Sequence, residues 1–516
     1  HRTEFTYNQQ TGRKIAEKNS KGHFKRYQYN TTGQITAVWG DGTYPVKYTY
    51  DSHDRMQTMT TYRTDTILNE ETFPENLQGD TTTWHYDETT GLLTAKEDAK
   101  GNKTTYTYTE AGKLKTRTWA RKDNTQPLTT TYIYDEETGE LKTTDYSDTT
   151  PDINFTYTRT GQQKQITDGT GTRIFKYNSS LQTKQEITDN YTMTRNHEET
   201  GIKGRDRGFT LNSEYTISYG FDTKGRLNTI DYNTAGKSDK ITYTYLTDSN
   251  LLSSKVFLTG FRTDYAYEEK RDLQTKIENA IEGKNISTYQ YEYDSISRRT
   301  SSLTTGLAFE TNKGFNKYGY NTRDEVTESK RYEGTDPDNI TTPVEPEKRL
   351  YNYDNTGNRK TAATGADQET YTSNELNQYT EISSASLFFD EDGNLTKDNK
   401  NRIYTYNCEN RLISIQPETP SQDSVKLNFI YDYLGRRVKK TVYSYASVAW
   451  DAGTTTLFVY DGWNLILELN EAGVTQKDYV WGLDLSQSLQ GAGGIGGLVA
   501  AVDGGTQYVY FYDGNG

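Results

Sequence analysis

The segment Tyr431-Asp432-Tyr433-Leu434-Gly435-Arg436-Arg437-Val438 is the clearest copy of a motif that recurs along the whole chain. A copy begins with an aromatic residue, and most copies continue with an acid or amide and a short polar run and reach glycine before an aliphatic residue. Further copies begin at Tyr29, Tyr108, Phe221, Tyr353 and Phe389, and a variant one residue longer begins at Tyr7, Tyr86 and Tyr134. Degenerate copies fill the intervals, so the chain is an internal repeat array.

Each copy of the motif predicts an antiparallel β-hairpin. A second aromatic residue often stands two positions before the first, as Tyr106 does before Tyr108, and this spacing places both rings on one face of a strand. The acid or amide bonds its own backbone and starts a turn, which glycine closes by supplying a positive φ. Four copies carry, in place of this glycine, residue types that tolerate the left-handed region: Asp54, Asp324, Asn410 and Asn464. Each hairpin is therefore expected to have one aromatic, half-buried face.

The composition excludes several classes of protein. Of 516 residues, 31% are hydrophobic and 13% aromatic, with 44 tyrosines and a formal net charge of −13. Low hydropathy is typical of disorder, but disordered segments are poor in aromatics, so we expect a folded chain whose buried surface is largely tyrosine. The single cysteine excludes a disulfide framework, and the acidic balance disfavours nucleic acid and anionic membranes as partners. No apolar stretch approaches the length that spans a bilayer.

The hairpins are expected to pair edge to edge in one long strip. A lone hairpin is marginal in water, and a series of them is stable only if neighbouring hairpins cover each other's edges. The fold class predicted is therefore all-β, with no helix longer than two or three turns. Three segments interrupt the rhythm, at residues 62–80, 332–348 and 417–424. The first two are polar, and the second, which holds three prolines, is expected to be an exposed loop.

The repeat unit resembles the YD repeat of the RHS family, which comprises bacterial Rhs proteins, the C components of insecticidal toxin complexes and animal teneurins. The resemblance covers nearly the whole chain, and it is most specific in four segments: Asn374 to Tyr379, Tyr404 to Leu412, Tyr431 to Val438 and Trp481 to Leu498. It implies that residues 1–380 are a plain repeat array and that residues 381–516 open the RHS-associated core, continuous with the same sheet and cut short at the C-terminus.

The resemblance also implies a function. Members of the family form a strip of hairpins that spirals into a large hollow β-shell, and in bacteria the shell encloses a C-terminal toxic polypeptide. An autoprotease motif built around Asp-Pro-x-Gly releases that cargo. Here Asp336-Pro337 is followed by Asp338-Asn339, so no autoprotease residue is assigned within the chain, and the motif is expected downstream or not at all.

Two sequence patterns resemble catalytic or nucleotide-binding motifs but lack their context. Gly491, Gly493 and Gly496 satisfy G-x-G-x-x-G, yet a dinucleotide site needs a following helix, and the next segment is typical of a strand, a turn and a strand. A glycine-rich bend is the better interpretation. Ser52-His53-Asp54 is contiguous within one turn, whereas the members of a catalytic triad converge from separate parts of the chain.

The remaining candidate residues favour structural roles. None of His1, His23, His85 and His197 has a metal-ligand spacing, and Cys408 is interpreted as an inert small residue in a turn. Acidic turns loosely resemble calcium ligands at Asp390 to Asn394, Asp87-Glu88 and Asp135 to Glu137. Ordinary turn carboxylates are favoured there because no EF-hand loop follows, and weak calcium binding is left open. We therefore expect no catalytic residue, cofactor site or metal site.

The function favoured is an encapsulating shell of a secreted or cell-surface bacterial protein, with its own C-terminal effector as partner. Surface glycans and secretion-machinery proteins are further candidate partners. The alternative is a cell-surface adhesin or glycan-binding scaffold without cargo, since aromatic rings on a sheet can stack on sugars. Structural tyrosine ladders are the favoured interpretation of these rings, because aromatic pairs across strands stabilise a sheet by about 0.2–1 kcal/mol each. An enzyme acting within these residues is not expected.

Overall fold

The computed structural model describes residues 2–64, 68, 70–123, 125–446 and 448–516. Over these residues the regular structure is β, apart from two three-residue 3-10 helices at Leu307–Phe309 and Glu345–Glu347, and no α-helix occurs. The all-β fold class and the expected lack of long helices are confirmed for this part of the chain.

Forty-five strands follow one another, most of them five to ten residues long. The first twenty-two are β1 Glu4–Tyr7, β2 Lys14–Lys18, β3 Phe24–Tyr29, β4 Ile35–Trp39, β5 Val46–Tyr50, β6 Met56–Thr61, β7 Asp80–Tyr86, β8 Leu93–Glu97, β9 Lys103–Tyr108, β10 Leu114–Asp123, β11 Gln126–Tyr134, β12 Leu141–Tyr146, β13 Ile153–Tyr157, β14 Gln163–Asp168, β15 Gly171–Tyr177, β16 Thr183–Ile187, β17 Thr192–His197, β18 Asp206–Leu211, β19 Tyr215–Phe221, β20 Leu227–Thr234, β21 Lys237–Tyr245 and β22 Leu252–Phe257.

The other twenty-three strands are β23 Phe261–Tyr267, β24 Gln274–Ile281, β25 Lys284–Tyr293, β26 Arg299–Thr305, β27 Gly314–Tyr320, β28 Val326–Glu333, β29 Arg349–Tyr353, β30 Arg359–Thr364, β31 Asp367–Ser373, β32 Tyr379–Ile382, β33 Ala385–Ser386, β34 Phe388–Phe389, β35 Leu395–Lys397, β36 Arg402–Tyr406, β37 Leu412–Pro417, β38 Val425–Tyr431, β39 Arg437–Ala446, β40 Ala449–Trp450, β41 Thr454–Asp461, β42 Asn464–Asn470, β43 Thr475–Trp481, β44 Leu498–Asp503 and β45 Thr506–Val509.

The strands form two antiparallel sheets, one of 33 strands (β1–β33) and one of 12 strands (β34–β45). In the described pairings each strand pairs with the next one along the chain, as β2 does with β3 and β3 with β4. The short strand β40 is the exception. It pairs with the end of β39, and β39 also pairs directly with β41. This arrangement confirms the predicted series of hairpins that pair edge to edge. The predicted division at residue 380 stays a prediction.

A β-bulge accompanies the aromatic residue that opens each repeat. In the β3–β4 hairpin, Tyr29 lies opposite Ile35 while Gln28 lies opposite Ala37, which leaves one extra residue in the return strand. The same shift occurs at Tyr245 and at Tyr431. A bulge disrupts the ladder locally and strengthens the twist of the strands. Because the ladder is interrupted there, the backbone at the start of the return strand can accept a hydrogen bond from another group.

Three of the four turn residues that replace glycine in the motif have the predicted left-handed conformation. Asp54, Asp324 and Asn410 have positive φ values of 62°, 68° and 56°, as their place in the motif predicts. Asn464 was expected in the same role, but this prediction is wrong, because Asn464 pairs with Asp461 across a two-residue turn. In that tighter hairpin Gly462, with φ of 58°, adopts the left-handed conformation.

The chain divides into two compact units. Unit 1 comprises His1–Thr129, Gln290–Thr305 and Phe309–Asn401, and unit 2 comprises Thr130–Tyr289, Gly306–Ala308 and Arg402–Gly516. In unit 1 the predicted half-buried face is well seen in β9, where Tyr106 and Tyr108 are half-buried and Thr105 and Thr107 are exposed.

Unit 1 also contains a small apolar cluster that the sequence did not suggest. Its members are Ala37, Trp39, Tyr62, Leu68 and Phe73, so the interrupting segment 62–80 covers part of the sheet although its sequence is largely polar. The indole N–H of Trp39 donates to a backbone carbonyl of the same segment at 3.0 Å. Of the segment at 332–348, residues 334–348 form a largely exposed loop as predicted, whereas Tyr332 and Glu333 end strand β28 and Tyr332 is buried beside Phe315.

In unit 2 the two sheets share one core. Strands of the first sheet contribute Phe209, Ile230 and Ile241, and strands of the second contribute Ile466, Val480 and Val499. Each of these side chains is buried, and the tyrosines Tyr215 and Tyr243 are buried among them. Part of the predicted tyrosine-rich buried surface is therefore found here, mixed with aliphatic residues.

Candidate functional site

The polar contacts that recur along the chain lie at the junctions between successive repeats, and the turn Asp222 to Arg226 shows how one of them is built. The backbone N–H of Asp222 donates to the carbonyl of Arg226 at 2.9 Å, and the N–H of Gly225 donates to the carbonyl of Asp222 at 3.0 Å. The Asp222 carboxylate accepts the N–H groups of Lys224 and Arg226, each at 2.9 Å. The acid of the motif therefore closes its own turn.

The arginine of the motif joins its turn to the next repeat. Arg226 Nε donates to the Asp222 carboxylate at 2.8 Å, which fixes the guanidinium. The guanidinium carbon lies 4.1 Å from the ring centroid of Tyr245, the aromatic residue that opens the following repeat. Arg226 also donates to the backbone carbonyl of Ser249 in the turn of that repeat. A cation stacked on a tyrosine ring contributes about 0.5–2 kcal/mol.

The tyrosine of the motif completes the junction in the opposite direction. Tyr245 donates its hydroxyl proton to the backbone carbonyl of Leu227 at 2.6 Å. Leu227 begins the return strand of the preceding repeat, at the β-bulge opposite Phe221. The bulge thus supplies the acceptor that the next tyrosine needs.

The same tyrosine bond recurs along the chain. The hydroxyls that donate to a carbonyl of the preceding repeat, at 2.6–2.9 Å, belong to Tyr29, Tyr50, Tyr86, Tyr108, Tyr157, Tyr177, Tyr245, Tyr320, Tyr353, Tyr431, Tyr460 and Tyr512. The arginines that stack on the next repeat's aromatic ring are Arg13, Arg55, Arg205, Arg226, Arg298 and Arg436. We call this set of contacts the repeat clasp.

The repeat clasp of Asp432 and Arg436 lies beside a second ion pair, Arg173 and Glu186, so four charged side chains meet there. Arg436 Nη2 lies 2.6 Å from the Asp432 carboxylate, and Arg173 Nη2 lies 3.6 Å from it. Arg173 also contacts Glu186, and the Tyr191 hydroxyl donates to Glu186 at 2.7 Å. The Asp432 side chain is 0% exposed. Two guanidinium groups and two carboxylates therefore balance each other out of solvent.

The carboxylates of Asp51 and Asp294, each in the turn of a repeat, are held ionised. Burial works to raise the pKa of Asp51, but bonds from the Arg55 side chain and from the Arg55 and His53 backbone outweigh it and bring the pKa to about 2. The same balance, with Arg298 as the basic partner, brings the pKa of Asp294 to about 2. An ionised carboxylate is what the repeat clasp requires, because a protonated acid would not pair with arginine.

These pKa values predict that acid loosens the repeat clasp. A carboxyl whose pKa falls from about 4 in the unfolded chain to about 2 in the folded chain stabilises the fold fully above about pH 4. That contribution is lost as the pH falls through the folded pKa. We expect the urea midpoint of unfolding to fall steadily between about pH 4 and pH 2. A midpoint that stays constant over this interval would contradict the prediction.

Removal of a single clasp hydroxyl has a defined expected effect. Tyr108 donates to the carbonyl of Leu93 at 2.8 Å, so Tyr108→Phe leaves this carbonyl without its donor. We expect the free energy of unfolding to fall by about 0.5–1.5 kcal/mol in urea titrations. Tyr106→Phe is the matched control, because Tyr106 lies on the same strand face and its hydroxyl makes no hydrogen bond with the described residues. Equal losses in both variants would show that the clasp hydroxyl contributes nothing.

The glycine-rich segment is a loop that wraps one of the chain's own carboxylates. The Asp484 carboxylate accepts the N–H of Ala492 at 2.6 Å and the N–H of Gly494 at 3.2 Å. Gly493 and Gly496 have positive φ values of 66° and 74°. The strands β44 and β45 follow the loop, as the sequence predicts. The backbone N–H groups that would bind a phosphate therefore donate to the Asp484 carboxylate instead.

The Ser52-His53-Asp54 turn is exposed, with Ser52 Oγ 3.3 Å from His53 Nδ1. His85 bonds Glu97 at 2.8 Å. Nδ1 of His23 is buried and has no hydrogen-bond partner among the described residues, and His1 lies outside those residues.

Cys408 is buried, and burial raises the pKa of its thiol. The carboxylates of Asp390 and Asp392 each lie 3.3 Å from Arg121. Asp87 and Asp135 bond the backbone of their own turns, as expected of turn carboxylates. Across the described ranges, no three histidine, cysteine or carboxylate side chains gather as a metal-ligating group would.

The repeat motif contains the residues of the repeat clasp but does not predict their contacts. It predicts a ladder of rings for the tyrosines, whereas their hydroxyls also bond the preceding repeat. It predicts no role for the arginine beyond opening the return strand. The signal available was the fixed distance of the arginine from the acid, four residues earlier, in copies such as Asp222 to Arg226 and Asp432 to Arg436.

No helix in the described part of the chain has the length and apolar character needed to cross a membrane. No family model matches the chain. In sequence, the chain is 30% identical over 172 residues to the tRNA3(Ser)-specific nuclease WapA of Bacillus spizizenii, which is 32% of this chain and 6% of that protein. It is 32% identical over 138 residues to the tRNA nuclease WapA of Bacillus subtilis, which is 26% of this chain and 5% of that protein.

In structure, the chain is similar to the crystal structure of TcdB2-TccC3, with a TM-score of 0.63 and 14% identity over 98% of this chain and 33% of that one. It is also similar to a chain of the Photorhabdus luminescens Tc holotoxin pore, with a TM-score of 0.61 and 14% identity over 93% of this chain and 30% of that one. The chain thus spans about a third of these structures, and at this identity they show its fold. The resemblance to the RHS/YD-repeat family is confirmed, because the chain has the fold of these toxin-complex structures and matches the WapA proteins over part of its sequence.

Proposed function

We propose that this chain is part of the wall of an RHS shell that encloses and carries a C-terminal effector. The observation that carries the proposal is the repeat clasp, which joins each hairpin to its neighbour through side chains in addition to the backbone ladder. The clasp contacts span two repeats, as those of Arg226 and Tyr245 do. A wall must resist opening at every junction, and such repetition of one bond set provides that resistance.

The exposed face of the sheet also suits a wall. Threonines that face each other across strands bond through their hydroxyls, at 2.6 Å between Thr49 and Thr58 and at 2.6 Å between Thr107 and Thr116. The hydroxyls are uncharged, and the two in each pair are hydrogen-bonded to each other. A surface of this kind offers an enclosed polypeptide few strong attachment points. The hydroxyls of the clasp tyrosines bond carbonyls of the chain itself, as Tyr108 and Tyr245 do, and for these residues this supports a structural ladder over a dedicated sugar site.

We assign no catalytic role to the chain itself. The WapA relatives are named as tRNA nucleases, but the chain covers 6% and 5% of their lengths. In the proposed arrangement any toxic activity belongs to an effector outside the matched residues. Residues 1–380 act as the repeat array and residues 381–516 as the opening of the RHS-associated core. The partner is the effector, and the protein acts outside the producing cell or at its surface.

Proteolysis tests the enclosure directly. A protein that contains this chain together with its downstream sequence is treated with a nonspecific protease, and the half-life of the downstream segment is measured by mass spectrometry. We expect that half-life to exceed that of the free segment at least tenfold. Equal half-lives would overturn the proposal, and binding of the same protein to a glycan array would then favour the adhesin hypothesis.

A further inference from the structure

Lys255 is a buried cation without a charged partner. It lies in β22, opposite Tyr243 on one neighbouring strand and Thr263 on the other, and it is 5% exposed. Its Nζ lies 5.8 Å from the ring centroid of Phe257 and makes no hydrogen bond or ion pair with the described residues. Burial lowers the pKa of Lys255 to about 8. An unpaired buried ammonium is costly, and a ligand that pairs with it would remove that cost.

Lys255 lines a cavity of about 310 Å³ within unit 2. Gln487 lines the same cavity, and its amide oxygen is buried and has no hydrogen-bond partner among the described residues. Buried polar atoms in folded proteins nearly always have partners. The cavity therefore presents one unpaired donor and one unpaired acceptor, in a volume within the usual range of small-molecule sites.

The rest of the lining gives the cavity both apolar and acidic character. Leu252, Ile277 and Leu483 supply aliphatic surface, and Tyr265 supplies an aromatic ring. Asp272 and Asp513 add carboxylates to the lining, with Asp513 accepting the N–H of Asn515, and the carboxylate of Asp484 is engaged by its own loop. A dianion would be repelled here, whereas a ligand with one negative and one positive end meets complementary charges.

We infer that this cavity binds a small amino-carboxylate with an apolar side chain, such as a free α-amino acid. The ligand carboxylate accepts hydrogen bonds from Lys255, and the ligand ammonium donates to the Gln487 oxygen. The aliphatic side chain lies against the leucines of the lining. The proposed shell function neither requires nor excludes this site.

Calorimetric titration of the whole chain with L-leucine tests the inference. We expect saturable binding of L-leucine, and at least tenfold weaker binding of 4-methylpentanoate, which lacks the amine, and of isopentylamine, which lacks the carboxylate. Absence of L-leucine binding would overturn the inference. Equal affinity for all three compounds would also overturn it, because apolar contact alone would then account for binding.

Substitution of Lys255 separates ligand binding from folding. Lys255→Met is expected to weaken L-leucine binding at least tenfold and to raise the thermal unfolding midpoint, because a buried charge is replaced by an apolar side chain of similar length. Lys240→Met on the adjacent strand β21 is the control, since Lys240 is 44% exposed and pairs with Asp231 at 3.4 Å, and binding should not change. Unchanged binding in Lys255→Met would refute the site.

Discussion

Replacement of Asp432 by asparagine should lower the free energy of unfolding by about 3–5 kcal/mol, because removal of one partner leaves a buried charge uncompensated. Asp432 accepts two bonds from Arg436, at 2.8 Å and 2.6 Å, and lies 3.6 Å from Arg173. In the variant Arg436 loses its carboxylate partner and keeps its bond to the backbone carbonyl of Gly462, while Arg173 keeps Glu186. Urea titration followed by tyrosine and tryptophan fluorescence measures the change.

A surface copy of the same motif position provides the control for Asp432→Asn. Asp222 pairs with Arg226 at 2.7 Å, but both side chains are about one-fifth exposed. Solvent screens that pair, so Asp222→Asn should cost no more than about 1 kcal/mol. If the two substitutions cost the same, burial of the charges would not be the source of the effect.

Truncation of Phe209 should have a comparable effect through a different mechanism. Phe209 is 1% exposed in the shared core of unit 2, and its ring is stacked on that of Tyr215 with centroids 5.7 Å apart. Phe209→Ala removes the ring and leaves a cavity, which costs about 3–5 kcal/mol in a packed core. The measurement is again the urea midpoint with its slope.

Phe5→Ala is the matched control for the core substitution. Phe5 is 52% exposed in β1, so its truncation should change the free energy of unfolding by less than about 0.5 kcal/mol. A small loss in Phe209→Ala would indicate that the two sheets of unit 2 do not share a core.

The local fold could be predicted from the sequence because each hairpin is specified within its own repeat. The aromatic residues two apart set the face of the strand, and the acid and glycine set the turn. The error at Asn464 is of the same local kind. There Gly462 directly follows Asp461, and a two-residue turn competes with the usual longer one.

The packing between distant segments could not be predicted in the same way. Nothing near Phe209 in the sequence shows that strands β41–β44 cover it, since that contact depends on the paths of both sheets. The burial of Trp39 under the segment 62–80 is likewise non-local. The repeat clasp could be predicted only in part. Its residues recur at regular positions in the sequence, but the residues that they contact lie one repeat away.

The central claim is that the arginine and tyrosine of the motif couple neighbouring repeats, and a double-mutant cycle on Arg226 and Tyr245 tests it most directly. The free energies of unfolding of Arg226→Ala, Tyr245→Leu and the double variant are compared with that of the parent chain. We expect a coupling free energy of about 0.5–2 kcal/mol, and none for the pair Arg226 and Tyr177, which belong to separate clasps. Additive losses for Arg226 and Tyr245 would show that the two residues are not coupled.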